Sequence, residues 1–175
     1  MVMYLVTGSA GSGKSEVCRA LKSKGYAAYD TDDDGLARWR NTQTGYIHPK
    51  SSVSAAMRTA EFIAMHEWIV TPEQIESLKR ENDDKPVLVC GSVGNEAELR
   101  PFFNKVFALH VDDDTLCHRL LTRTTNDWGK QPYELKQTLE AHHNTHNIRK
   151  QNKDIIVDPC QPLEIVVNEI ENYIR

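Results

Sequence analysis

The eight residues Gly8-Ser9-Ala10-Gly11-Ser12-Gly13-Lys14-Ser15 constrain this chain more than any other stretch. They fit G-x-x-x-x-G-K-[ST] at every defined position. An apolar, β-rich run, Met3–Thr7, precedes them, and a pattern that predicts a helix from Lys14 to about Lys22 follows, stopped by Gly25. Glycines let the backbone wrap closely around phosphate oxygens with its N–H groups pointing inward. Lys14 is long enough to reach the β- and γ-phosphates, and the Ser15 hydroxyl is a hard oxygen ligand for Mg²⁺. The helix that opens here turns its electropositive end to the anion. The bland alternative is a Gly/Ser turn between a strand and a helix, but a chance match is rare, roughly well under one in a hundred chains at average composition. The loop therefore predicts bound ATP, or a close nucleoside triphosphate, with Mg²⁺. Its expected ligands are Gly8, Ala10, Gly11, Ser12, Gly13, Lys14, Ser15 and Glu16.

Further short apolar runs fall at Tyr26–Tyr29, Pro86–Cys90, Val106–Val111 and Ile155–Val157, each suited to a strand buried on both faces. Helical patterns lie between them. One starts near Thr71-Pro72-Glu73, with a capping Thr and Pro in the first turn. Asp112–Arg123 has acids at its start and Arg at its end, as the helix dipole favours. Pro132–Lys150 is another, and the last begins around Pro162 and carries Leu163, Val166, Val167, Ile170 and Ile174 on one face. Alternating β and α elements predict an α/β fold, a parallel sheet with helices on both faces, which binds ligands at the C-terminal ends of its strands. Asn41–Ser54, with Gly45, Pro49 and several Ser and Thr, reads as a loop or mobile insert. The whole of 1–175 reads as one domain with no internal repeat.

Composition narrows the partners. The 175 residues suffice for one core, and the formal net charge of -4 argues against broad binding to nucleic acid or anionic membranes. Cys18, Cys90, Cys117 and Cys160 are irregularly spaced without a C-x-x-C pair, so reduced thiols are expected rather than zinc or disulfides. With no signal-like leader and no membrane-length apolar run, a cytoplasmic monomer or homodimer is expected.

Two segments add chemistry to the loop. Asp30-Thr31-Asp32-Asp33-Asp34 follows the second strand, where a carboxylate is placed to hold Mg²⁺ or take a proton from a substrate hydroxyl. Asp32 is the first choice and Asp30 the second; the bland reading of the run is a solvated helix start. Arg119 and Arg123 share one helix face, and the polar segment 124–132 that follows, with Gly129 and Pro132, reads as a lid. Arg123 and Lys130 are the better candidates to neutralise a transferring phosphoryl group, while Arg119 is as well suited to a structural role. Acceptor contacts are expected from 33–80 and from the end of the third strand: Arg38, Trp39, Arg58, His66, Trp68, Ser92 and Asn95, weighed against core tryptophans and solvated arginines. His142, His143 and His146 have metal-like spacing, but lack the Glu of a zinc-protease pattern and read better as a solvated helix face. Gly91-Ser92-Val93-Gly94 lacks the spacing of a nucleophile elbow.

On these residues the chain resembles P-loop kinases of the nucleoside monophosphate kinase and shikimate kinase type, over nearly its whole length. That resemblance implies a three-layer P-loop NTPase fold with a five-stranded sheet of order 2-3-1-4-5 and a small lid. It also implies Lys14 as phosphate ligand, Ser15 as magnesium ligand, Asp32 as base or metal partner, Arg123 as lid arginine, and adenine contacts near Asp158–Gln161, Pro159 included, with Arg119 beside the nucleotide. The chain departs from both types after the third strand, where Cys90-Gly91-Ser92-Val93-Gly94-Asn95 replaces their acceptor motifs. It is more similar to kinase-like ATPases of the AAA kind with a Cys-Gly…Asn strand end and an Arg-Thr-x-Asn-Asp-aromatic-Gly-Lys lid. The expected activity is Mg²⁺-dependent phosphoryl transfer from ATP to a nucleoside, nucleotide or small alcohol. The alternatives are a nucleotide-dependent switch, which exposed apolar surface near Tyr46–Val53 would support, and, less suited to the acidic charge, a nucleic-acid end kinase.

Overall fold

The Gly8–Ser15 loop leaves the central strand of a five-stranded parallel sheet. A computed structural model describes residues 2–82 and 85–174. In chain order the elements are β1 (Met3–Gly8), α1 (Lys14–Ser23), β2 (Ala27–Asp30), β3 (Arg38–Asn41), α2 (Ala60–Met65), β4 (His66–Ile69), α3 (Pro72–Glu81), β5 (Val87–Cys90), α4 (Glu96–Leu99), β6 (Lys105–Leu109), α5 (Asp113–Thr122), α6 (Pro132–Gln151), β7 (Ile155–Val157) and α7 (Leu163–Ile174). The sheet runs β2-β5-β1-β6-β7. Counting only its own strands along the chain, that is the order 2-3-1-4-5.

Period-two alternation on β1 explains why helices cover both faces. Tyr4 and Val6 pack with Val17, Cys18 and Leu21 of α1 and Val166, Val167 and Ile170 of α7. Met3 and Leu5 face the other way, onto Ile75 and Leu78 of α3 and onto Leu99 and Phe103. A third cluster, Val111, Leu116 and Leu120 with Leu135 and Leu139, fastens α5 to α6. Helix α3 begins as its sequence predicts: Thr71 and Gln74 form a reciprocal capping box, with Pro72 in the first turn.

The sequence reading did not anticipate the antiparallel hairpin β3–β4. Its strands are four residues each, Arg-Trp-Arg-Asn and His-Glu-Trp-Ile, too short and polar for a periodic signal. Cross-strand pairs hold it instead: Trp39 opposite Trp68 and Arg40 opposite Glu67, the latter an ion pair at 2.7 Å. Most of 42–54 between them is irregular, with one bridge from Ile47 to Arg40.

Asn95 is corrected from acceptor contact to structural staple. It is buried; its Nδ2 donates to Val70 O at 2.8 Å and to Glu98 at 3.0 Å, and its Oδ1 accepts from Val70 N at 3.3 Å. It therefore ties the loop after β5 to the chain just past β4. Asn95→Ala leaves the N–H and C=O of Val70 without a partner, at about 1–3 kcal/mol for each buried group. The expected loss, read as a lower urea midpoint at unchanged slope, is about 2–6 kcal/mol. An unshifted midpoint would return Asn95 to the pool of ligand-binding candidates.

Candidate active site

Gly8 and Gly13 set the shape of the loop. At Gly8, with φ +148°, a Cβ would lie 2.5 Å from the carbonyl oxygen of Leu109, so the strand can turn out of the sheet only without a side chain. Gly13 caps α1 in the left-handed region at φ 99°. Lys14 folds back along the loop and donates to the carbonyls of Gly8 and Ser9, both at 2.8 Å. Its ammonium is buried, and that burial lowers its pKa to about 8 against the pull of Asp32 and Asp30. Ser15 and the exposed Glu16 line the cleft above the loop, whereas Ser12 is wholly buried and does not line it.

The acidic run divides by role. Buried Asp30 accepts from the backbone N–H of Asp32 at 2.9 Å and of Asp33 at 3.1 Å, which shapes the turn. Asp33 and Asp34 pair with Arg19 and Lys22 on the surface. Asp32 is exposed and turned into the cleft, where its Oδ1 accepts from Trp68 Nε1 at 2.9 Å and Thr31 Oγ1 at 3.2 Å. The strand ends approach closely here: a Cβ on Gly91 would lie 2.0 Å from Thr31 Oγ1.

From the opposite side come Arg119 and Arg123. Both line the cleft. Arg119 also donates to Pro159 O at 3.1 Å, so Pro159 meets the site through its carbonyl. Arg123 donates to Trp128 O, and its pKa is lowered by burial, against the attraction of Asp32 and Glu134. Its Nε is buried with no hydrogen-bond partner among the described residues. Segment 123–131 joins α5 to α6, and Thr125, Asn126 and Trp128 reach the cleft from it. Lys130 does not: it pairs with Asp127 at 3.5 Å.

The cleft between these groups holds about 1090 Å³. Of the expected acceptor contacts, Trp39, Arg58, His66, Trp68 and Ser92 line it. Arg38 does not; it donates to Gly35 O and Ala37 O and borders an adjoining hollow of about 160 Å³. Ser15 and Asp32 are oxygen donors in one cleft, a set that fits Mg²⁺ shared with phosphate and water. No group of three or more His, Cys, Asp or Glu able to hold a metal occurs among the described residues.

Two features escaped the sequence reading. Glu96, on the short helix α4, lies at the cleft base and accepts from Thr7 Oγ1 at 2.8 Å, Arg100 at 2.8 Å and Arg149 at 2.7 Å. Burial opposes its ionisation, yet Arg149, Thr7 and Arg100 hold its pKa below the ordinary value. Arg100 and Arg149 also pair with Asp154. The solvated reading of the histidine cluster is overturned for His142, which is 4% exposed. Its Nδ1 meets Ser9 Oγ at 2.8 Å and its Nε2 meets Val111 O at 2.9 Å, while His110 stacks on it at 4.6 Å. The carbonyl can only accept, so Nε2 carries the proton and Nδ1 accepts from Ser9. His143 is exposed and pairs with Asp113.

Comparison with known proteins agrees with the fold. A family profile described as an AAA domain matches residues 5–140. A shikimate kinase from Acinetobacter baumannii, solved in complex with shikimate, has a TM-score of 0.59 at 14% identity, covering 98% of this chain and 91% of its own. A gluconokinase from Sinorhizobium meliloti 1021 has a TM-score of 0.54 at 22% identity, covering 96% and 88%. A deoxyadenosine kinase from M. mycoides with bound dATP has 0.56 at 14% identity, covering 99% and 98%. At such identities the likeness is one of fold. No curated protein matches the chain.

Lys14 generates a pH prediction. Its folded pKa, about 8, lies below its ordinary 10.5, so above pH 8 the folded, unliganded chain binds fewer protons here than the unfolded chain. Lys14 therefore penalises folding below pH 8, and stability from this residue rises between about pH 8 and 10.5. A triphosphate requires the charged form, so its binding takes up a proton above pH 8. ATP affinity should fall towards tenfold per pH unit above about 8, with proton uptake visible when calorimetry is repeated in buffers of different ionisation enthalpy. Affinity flat to pH 9.5 would contradict this burial of Lys14.

Proposed function

The chain belongs to the AAA-domain family, whose profile spans residues 5–140, and from that premise we propose that it is an ATP- and Mg²⁺-dependent phosphotransferase acting on a small-molecule hydroxyl. One observation carries the reading: Asp32 and Lys14 face the same cleft, close enough that the carboxylate raises the Lys14 pKa. The fold neighbours that are kinases of gluconate, shikimate and deoxyadenosine support it, each by its own name.

Loop amides and Lys14 hold the triphosphate, and Arg119 and Pro159 flank the nucleotide. Ser15 and Asp32 would hold Mg²⁺, which when bound would neutralise charge on the phosphate oxygens. Asp32 takes the proton of the acceptor hydroxyl as its oxygen bonds to the γ-phosphorus and the bond to ADP breaks. Arg123 meets the charge spread over the transferring group. Within a single domain, 33–80 forms the acceptor region and 124–132 the lid, with Arg58, Trp68 and Ser92 as acceptor contacts. The protein works in the cytoplasm as a monomer or homodimer, and no helix among the described residues is long and apolar enough to cross a membrane.

The second reading, a nucleotide-dependent switch, draws on Tyr46 and Ile47, which are 57% and 39% exposed. ADP release with and without a panel of sugars, sugar acids, nucleosides and nucleotides separates the two. Stimulation by an acceptor supports transfer; nucleotide-dependent partner binding with no stimulation by any acceptor supports the switch. Asp32→Asn should lower kcat by about 10²–10⁴ with ATP affinity changed only a few-fold. A kcat within threefold of the parent would remove Asp32 from the chemistry.

A further inference from the structure

The part of the cleft beside Asp32 forms a compartment walled by all three tryptophans of the chain. Trp39 comes from β3, Trp68 from β4 and Trp128 from the segment between α5 and α6. The Trp39 ring lies 5.1 Å from Trp68 and 6.2 Å from Trp128. The bland account is a small aromatic core beneath the hairpin, and Trp39 does pack edge-on against Phe62 at 5.4 Å. That account leaves two facts aside. Each indole is only half-buried and borders the open cleft. Two of the three polar edges are already engaged: Trp68 Nε1 by Asp32, and Trp128 Nε1 by Thr138 Oγ1 at 3.0 Å. The wall presents ring faces and few free donors.

Charge is close to balanced around the wall. Arg58 lies 5.7 Å over the Trp128 ring and forms no ion pair among the described residues. Around it Asp33 and Glu67 are paired with Arg19 and Arg40, Arg100 and Arg149 are matched by Glu96 and Asp154, and Asp30 and Asp32 share the cleft with Lys14, Arg119 and Arg123. A polyol would need many free hydrogen-bonding groups, which the indole wall lacks. A flat, uncharged ring suits it, because stacking on indole faces needs no donor. The space of about 1090 Å³ slightly exceeds the roughly 300–1,000 Å³ of single-ligand pockets, room for a nucleotide and a second flat molecule.

We infer, resting on the phosphotransfer reading above, that the acceptor is a nucleoside, its base stacked on the tryptophan wall and its sugar hydroxyl presented to Asp32. The hydroxyl proton passes to Asp32, the hydroxyl oxygen bonds to the γ-phosphorus, the γ-phosphorus–oxygen bond to ADP breaks, and a nucleoside monophosphate and ADP leave.

The test titrates the protein, saturated with a non-hydrolysable ATP analogue and Mg²⁺, with the common ribo- and deoxyribonucleosides, gluconate, shikimate and adenosine monophosphate. Tryptophan fluorescence is the readout, since every tryptophan of the chain borders the compartment. ADP release is then measured with ATP and each compound. At least one nucleoside should quench the fluorescence and stimulate ADP release, with its monophosphate as product. Trp39→Ala should raise KM for that nucleoside at least tenfold, and Trp39→Phe, which keeps a ring face, should raise it less. If Trp39→Ala fails to fold, quenching of the parent protein reads the same contact. Phosphorylation of gluconate, shikimate or adenosine monophosphate but of no nucleoside overturns the nucleoside assignment and leaves phosphotransfer standing. A nucleoside turned over without quenching overturns the stacking. ATP binding without stimulation by any compound overturns both.

Discussion

Crowding at the end of β1 governs everything built above it. Gly8 pairs with Leu109 on β6, and the oxygen of Leu109 stands where a side chain would have to go. The chain escapes only because residue 8 is glycine, and it leaves from the middle of the sheet, flanked by β5 and β6. A backbone departing there cannot continue the ladder, so its N–H groups become available to an anion. Left-handed Gly13 then starts α1 with its positive end toward the same point. Lys14 folds back onto the carbonyls of Gly8 and Ser9, where burial lowers its pKa.

Sheet order determines what faces the loop. Because β5 lies between β1 and β2, the acids that end β2 stand one strand removed from the loop, leaving a gap wide enough for a second molecule. Because β6 lies on the other side, α5 delivers Arg119 and Arg123 from across the cleft. Opposite charges thus converge on one space from two sides of the sheet. Both Asp32 and Arg123 bear on that space: the first raises the Lys14 pKa and the second lowers it. Glu96 fills the base with a carboxylate that its arginines keep ionised.

The main sheet was legible because its signals are local. Each strand is a short apolar run, and the long helices other than α6 carry their own caps or their own apolar stripe. The loop was legible because phosphate chemistry fixes residue types at fixed spacing. The hairpin was not, because β3 and β4 hold together through pairing across 25 or more residues, Asn41 opposite His66 and Trp39 opposite Trp68, with no periodic hydrophobic face. His142 was not legible either. Its helix has a weakly amphipathic sequence, and only the fold reveals that this position meets Ser9. Asn95 and Arg38 show the converse error: polar residues near a site look like ligands in sequence, yet backbone groups claim them. Arg149, which crosses to Glu96 from 53 residues away, left no local trace at all.

These long-range bonds decide which part of the lid is free to act. Helix α6 follows the arginine-bearing segment, yet it is fastened to the floor of the site at two separated points. His142 bonds Ser9 within the loop, and Arg149 bonds Glu96 and, at 3.3 Å, Thr7 on β1 itself. Swinging α6 outward as a rigid arm would strand several buried polar groups, at about 1–3 kcal/mol each and more for the charged ones. Rearranging 123–131 disturbs much less. Its bonds are few, Thr124 to Asp127 are exposed, and Gly129 at φ +89° provides a bend next to the buried Glu134 that receives its N–H. The device that brings Arg123 to a phosphoryl group is therefore the short segment between two anchored helices. The Nε of Arg123, like the Ser12 Oγ of the loop, is buried without a hydrogen-bond partner among the described residues, and in this segment it is the group a ligand can reach with least disturbance.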